Sequence, residues 1–200
     1  MLKVGLTGGL ASGKSFVGQA LADCGCLLIQ ADELGHAVLA PGGEAFEAVV
    51  KEFGAEIVGD GRIDRRRLAA RVFADPQALL RLNALVHPPV IAREEKMMDE
   101  FAERQPRGIA VVEGAILIET GSYKRFDRLI VVACTPAQQI ARAMHRDGIS
   151  EAEVRARLSR QMPLEEKRKL ADFVIDTSGT KQDARRQACG VYEELRRISI

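Results

Sequence analysis

Short runs of apolar side chains, rich in leucine and β-branched residues, punctuate the chain at Leu2 to Leu6, Cys26 to Ile29, Ile109 to Val112, Arg128 to Ala133 and Phe173 to Ile175. Runs of this length with turn signals around them read as buried strands. Between them lie stretches with helical periodicity and recognisable starts: Asp75-Pro76, Thr135-Pro136-x-Gln138, Ser150-x-x-Glu153, and Thr180 ahead of a long C-terminal run. In such starts the first hydroxyl or carboxylate accepts a free amide of the opening turn, and the residue three positions on can return a bond. Alternation of strands and helices predicts an α/β fold with a mainly parallel sheet.

The rhythm breaks in two places. From about Asp32 to Gln105 there are helix-like segments and no convincing buried strand, which reads as a helical insertion. From Gln138 to Leu170 a second helical stretch carries eight Lys or Arg against five Asp or Glu, interrupted by Gly148 and Pro163. That pattern fits a mobile basic lid or an ordinary solvated helix pair. The expected organisation is a core of residues 1–31, 107–136 and 171–200, an insertion of residues 32–106 and a lid of residues 137–170.

Composition narrows the class without naming it. At 200 residues, 46% hydrophobic and 28% charged, the chain can bury a core and reads as soluble. A formal charge of +1 gives no whole-chain reason to expect a nucleic-acid partner, and no apolar run predicts a membrane span. The opening Met1-Leu2-Lys3-Val4 lacks the pattern of an export signal, so a cytoplasmic location is expected. Cys24, Cys26, Cys134 and Cys189 show no C-x-x-C spacing and read as reduced thiols in or near a core. His36, His87 and His145 are too scattered in sequence to argue for a metal site.

The chemistry enters at Gly8-Gly9-Leu10-Ala11-Ser12-Gly13-Lys14-Ser15, which matches G-x-x-x-x-G-K-[ST] between a predicted strand and a predicted helix. Glycines let successive amides curl toward phosphate oxygens, and the helix start adds positive potential. Lys14 then reaches the β- and γ-phosphates, and the Ser15 hydroxyl suits Mg²⁺. The chain's single asparagine, Asn83, is followed by Ala84, so there is no Asn-Lys-x-Asp guanine motif; a Leu-Ser-Gly-Gly-Gln transport signature is also missing. A kinase leads, ahead of a nucleotide switch that binds ATP and a protein partner.

Two carboxylates sit where α/β sheets bind ligands, just past the carboxyl ends of strands. Asp32 could take the proton of an attacking hydroxyl, or could cap the following helix. Glu113 could stand near the water shell of Mg²⁺, or could be a solvated turn residue. Among Arg65, Arg66, Arg67 and Arg71, helical spacing places Arg67 and Arg71 on one side and Arg65 on another. His87, before Pro88, reads as either a ligand contact or a packed histidine.

With these residues in view the chain resembles the dephospho-coenzyme A kinase family from end to end. The phosphate loop, Ala31-Asp32 with His36, and Ile63-Asp64-Arg65 leading to Val72-Phe73 follow the family's order. So do Leu82-Asn83-Ala84-Leu85-Val86-His87-Pro88, Ile116-Leu117-Ile118-Glu119, Thr135-Pro136 to Arg142, Arg146-Asp147, Arg160-Gln161 and Ala171-Asp172-x-Val174-Ile175-Asp176. The resemblance implies a three-layer P-loop kinase fold with a parallel five-stranded sheet, a helical substrate-binding insertion and a helical lid. It implies ATP and Mg²⁺, dephospho-coenzyme A as the small-molecule acceptor, and a monomer or small homo-oligomer. By the same token Asp32, Lys14 and Arg142 are catalytic, with Arg146 an alternative lid arginine. Gly8, Gly9, Ala11, Ser12, Gly13, Lys14, Ser15, Phe16 and Arg142 hold the nucleotide, and Ser15 the metal. Asp32, His36, Arg65, His87 and Glu119 meet the acceptor. The chain departs from the family pattern at Gln30 (usually Asp), Phe16 (usually Thr), Ala115 (usually Pro) and Thr177 (commonly Asn, a change expected to alter adenine contacts).

Overall fold

The computed structural model describes residues 1–73 and 75–199, without the side chains of Phe73 and Pro76. Ala74 and Ile200, inside the expected insertion and core, and the Phe73 side chain of the family-like middle segment lie outside the described residues. In chain order the elements are β1 (Leu2–Gly8), α1 (Lys14–Asp23), β2 (Leu27–Gln30), α2 (Ala31–Val38), α3 (Phe46–Phe53), β3 (Val58–Gly59) and β4 (Arg62–Ile63). There follow α4 (Arg65–Phe73), α5 (Pro76–Arg104), β5 (Ile109–Glu113), β6 (Arg128–Ala133), α6 (Pro136–Asp147), α7 (Glu151–Leu158), α8 (Leu164–Lys169), β7 (Phe173–Asp176) and α9 (Lys181–Ile198). The chain divides into two compact units, Met1–Gln30 with Met98–Ile200, and Ala31–Met97.

The first unit is built on a five-stranded sheet in the order β2-β5-β1-β6-β7, every neighbouring pair parallel. All five strands were visible as apolar runs because strands of a parallel sheet are covered on both faces. Alternation then sorts the side chains. Leu2, Val4, Leu6, Ile109, Val111, Ile130, Val132 and Ile175 share one cluster with Val17 and Leu21 of α1 and Ala188, Val191 and Leu195 of α9. Leu129 and Val131, one position out of phase, meet Ile118 and the partly buried Met162, Leu164 and Ala171 on the other face. The chain leaves β1 toward β2 on one side of the sheet and leaves β5 and β6 toward the other, so the carboxyl end of β1 is the switch point where such sheets bind ligands.

The helix starts read from sequence are present as complete capping boxes at Thr135/Gln138, Ser150/Glu153 and Thr180/Asp183. Asp75 opens α5, its Oδ1 accepting the amide of Gln77 at 2.8 Å. Cys24, at the end of α1, and Cys189, on α9, bring their sulfurs to 3.0 Å across 165 residues of chain. Residue spacing had offered no pairing, because the contact is made by helix packing.

The second unit closes its own cluster from Val38, Ala45, Val49, Phe53, Ile57, Leu68, Val72, Ala78 and Val90. It holds one extended feature the sequence reading lacked, the two-residue antiparallel pair β3–β4. Asp60 and Gly61 turn it with φ of 50° and 71°, left-handed values that asparagine, aspartate and glycine tolerate best. Neither strand is buried, which is why no apolar run marked it. Among the described residues, no helix is long and apolar enough to cross a membrane.

Candidate active site

Residues 8–13 turn the chain from β1 into α1. A side chain on Gly8 would collide with the Val132 carbonyl and the Ser12 hydroxyl, and one on Gly9 would strike the Gln139 amide. Gly13 adopts φ 89°, a left-handed conformation costly for any residue with a Cβ. No side chain caps α1, whereas α6, α7 and α9 carry full capping boxes. A helix start leaves its first amides without partners inside the helix, so this one presents donors and the positive end of its dipole to an anion.

Behind the loop, Ser15 donates its hydroxyl hydrogen to Glu113 Oε1 at 2.8 Å. Glu113 is the last residue of β5 and is buried, 8% exposed, so the solvated-turn reading fails. Its other oxygen, Oε2, is buried without a hydrogen-bond partner, in space left open by Gly18. The Ser12 hydroxyl is likewise buried and unpartnered. Buried acceptors with nothing to accept cost free energy. A hydroxyl and a carboxylate with a spare oxygen form an all-oxygen set of the kind Mg²⁺ takes, directly or through its water shell. Lys14 Nζ donates to the Gly9 carbonyl at 3.1 Å, curled back over the loop. Phe16 packs against the main cluster, with the Lys181 ammonium 5.9 Å from its ring centroid.

Side chains from the 137–177 stretch grip this loop. Gln161 Oε1 accepts from the Leu10 amide at 3.0 Å, and Gln139 Nε2 donates to the Leu10 carbonyl at 3.0 Å. Thr177 donates to the Ser12 carbonyl at 2.7 Å and lies near the Ala133 carbonyl at 3.1 Å. Arg142 in turn donates to the Thr177 hydroxyl at 3.2 Å and carbonyl at 2.7 Å. The departure at 177 therefore bears on the loop and on Arg142. The alternative arginine, Arg146, donates to both oxygens of Asp147 at 2.7 and 3.1 Å, and Arg157 adds a third bond at 3.0 Å. These guanidinium bonds, that of Arg146 foremost, hold the Asp147 carboxyl below the usual carboxylate range. Burial raises the nearby Cys134 thiol.

Lys167, which sequence reasoning missed, is fully buried on α8. Its ammonium lies 2.8 Å from Glu119 Oε1, 3.2 Å from the Ala115 carbonyl and 3.4 Å from the Gly8 carbonyl. Glu119 Oε1 also accepts from the Met162 amide at 3.1 Å. Lys167 sits in the run Glu165-Glu166-Lys167-Arg168-Lys169, which reads as a solvated face. The available signal was helical spacing: Leu164 and Ala171, three residues before and four after it, both pack inward.

The remaining expected residues lie in the second unit. Asp32 is the second residue of α2, inside the first turn and not at its cap. Its side chain is exposed and has no hydrogen-bond partner among the described residues, and His36, one turn on, is exposed too. Of the four arginines, Arg67 donates to the carbonyls of Glu56 and Val58 at 3.1 and 3.3 Å, and Arg71 pairs with Glu56. Arg65 is exposed, with no side-chain partner among the described residues. His87 is half-buried in α5, immediately before the in-helix Pro88 and Pro89, and burial lowers its pKa.

A parallel sheet with β1 at its switch point, an uncapped helix behind a glycine loop, and a lysine–serine pair backed by a buried glutamate define a P-loop kinase. The fold is shared widely: a shikimate kinase from Acinetobacter baumannii superposes with a TM-score of 0.50 at 16% identity, over 97% of this chain and 92% of that one. Much closer likeness is found elsewhere. The family model described as dephospho-CoA kinase matches residues 2–183. A dephospho-CoA kinase of Thermobifida fusca is 41% identical over 198 residues, 98% of each chain, and one of Aquifex aeolicus is 39% identical over 98% of this chain and 99% of its own. The solved dephospho-CoA kinase of Campylobacter jejuni superposes with a TM-score of 0.72 at 26% identity, over 99% of this chain and 98% of that one. The chain belongs to the dephospho-CoA kinase family.

Proposed function

We propose that the protein transfers the γ-phosphoryl group of ATP to the 3′-hydroxyl of dephospho-coenzyme A, giving coenzyme A and ADP, the last step of coenzyme A biosynthesis. It acts as a soluble cytoplasmic enzyme on a small molecule. The observation that carries the reading is the unsatisfied phosphate site: an uncapped α1, with Ser15 bonded to a Glu113 whose second oxygen is orphaned. The first amides of α1 and the Lys14 ammonium hold the triphosphate and stabilise charge as it moves to the leaving oxygen. Ser15 and Glu113 are the residues that would hold Mg²⁺, which when bound neutralises charge on the β- and γ-phosphates. Asp32 takes the proton of the attacking hydroxyl, a role its free carboxylate supports. Arg142, oriented by Thr177, faces charge on the transferring group. Arg65 offers an uncommitted guanidinium to an acceptor phosphate, with His36, His87 and the second oxygen of Glu119 as further acceptor contacts.

The test is ADP release with ATP, Mg²⁺ and a panel of hydroxyl acceptors. Dephospho-coenzyme A should far exceed every other acceptor, and chelation of divalent cations should abolish turnover. Equal turnover with dephospho-coenzyme A and with water would overturn the reading.

A further inference from the structure

Lys167 belongs to none of the roles above, yet its burial is complete and its surroundings are specific. An ammonium has three hydrogens. Here it has three acceptors, each on a different segment: Gly8 where β1 becomes the phosphate loop, Ala115 just beyond β5, and Glu119. Gly8 is a position where no side chain fits, so the loop's root can be held only through its backbone. The segment that carries Lys167 is tied to the same loop again where Gln161 accepts from the Leu10 amide. Around Glu119 the Lys167 ammonium and the Met162 amide converge on one oxygen.

We infer that Lys167 is a positioning residue for phosphoryl transfer: by holding the Gly8 carbonyl it sets the direction of the loop amides that receive the triphosphate. Through α8 it also makes nucleotide affinity depend on how the lid segment is seated. The inference rests on the phosphate-site reading above. A purely structural alternative is that Lys167 serves only as the counter-charge of Glu119. The two differ in what cures a deletion. Removing one member of a buried charge pair leaves the other uncompensated, and removing both relieves that cost. The bond to Gly8 returns in neither case.

The experiment compares Lys167→Met with the double variant Lys167→Met/Glu119→Gln, in which the new amide oxygen still accepts from Met162. Thermal melts and calorimetric titration with ATP alone are measured for both and for the parent. The single variant should melt lower and bind ATP about tenfold more weakly. The double variant should melt within a degree or two of the parent yet keep the roughly tenfold loss of ATP affinity. Recovery of ATP affinity together with the melting temperature would overturn the inference. So would a folded single variant that binds ATP as the parent does, or a double variant that does not fold, since each leaves Lys167 a role in the fold alone. A parent protein that fails to bind ATP would instead remove the phosphate-site reading.

Discussion

The candidate residues of the two units are held in opposite ways. In the first unit the loop and its supports are bonded to one another, Ser15 to Glu113, Leu10 to Gln139 and Gln161, the Ser12 carbonyl to Thr177 and Arg142 to Thr177, which leaves the Ser12 hydroxyl, Glu113 Oε2 and the start of α1 open. In the second unit Asp32, His36 and Arg65 are exposed, and Asp32 and Arg65 have no side-chain partner among the described residues. A site whose groups are already fixed spends little free energy on ordering when charge develops, which is how electrostatic stabilisation gains its size. Groups left free must be ordered by the ligand itself, and that ordering is drawn from binding energy. On the proposed function, the nucleotide residues are fixed in advance and the acceptor residues are ordered by the ligand they meet.

The contrast is broken most severely at Lys14. Lys14→Ala should lower kcat/KM by roughly 10³–10⁵, the scale on which charge-stabilising groups act in phosphoryl transfer. Circular dichroism should be unchanged, and turnover close to the parent's would show that the loop is not the working site. Next comes Asp32→Asn, which preserves size and removes the base. Steady-state kinetics should show kcat down by about 10²–10⁴ with KM for ATP little changed. A folded variant retaining more than about a tenth of kcat would take Asp32 out of the mechanism.

Smaller effects sharpen the picture on the acceptor side. Arg65→Ala should raise the KM for dephospho-coenzyme A about tenfold or more, the worth of one charge-assisted phosphate contact, and leave the melting temperature alone. Arg67→Ala should do the reverse, costing a fraction of 1 kcal/mol in stability through its exposed bonds and leaving KM unmoved. Equal effects of the two on KM would erase the distinction drawn between them.

The smallest effect concerns Cys24, whose thiol is pushed up to about 11, by burial first and then by Cys189. Only the thiolate reacts. Alkylation of Cys24 should therefore keep rising about tenfold per pH unit from pH 7 to 9, where an ordinary thiol near 8.5 would begin to level off. The sign for stability follows. A folded pKa above the unfolded one means that stability is fully present below the unfolded value and declines as pH rises toward 11. A labelling rate that plateaus near pH 8.5 would contradict the packing of the two sulfurs.

Local patterns carried most of what the sequence revealed. The five strands, the capping boxes and the phosphate loop are each written in a few neighbouring residues, because a strand's burial, a cap's bond and a loop's curl are short-range physics. The supports of the site are written in pairs far apart. Ser15 and Glu113 are 98 residues apart, Ser12 and Thr177 165, and nothing local marks either bond. For the same reason Glu113 could be read as a surface turn residue, although it is buried. Lys167 was hidden by its company, four charged residues that do face solvent. The pair β3–β4 escaped because two-residue strands on a surface need no apolar pattern.

The absence of a cap on α1 has a consequence for the protein's lifetime. The helices α6, α7 and α9 carry their own capping side chains, each worth about 1 kcal/mol. On the proposed function, that service on α1 falls to the bound nucleotide. A ligand that binds only the folded chain stabilises it by mass action, about 2.7 kcal/mol at a hundredfold excess over Kd. Against a typical net stability of about 5–15 kcal/mol, that share is large. On that reading the resistance of this kinase to unfolding and proteolysis rises with the ATP available to it.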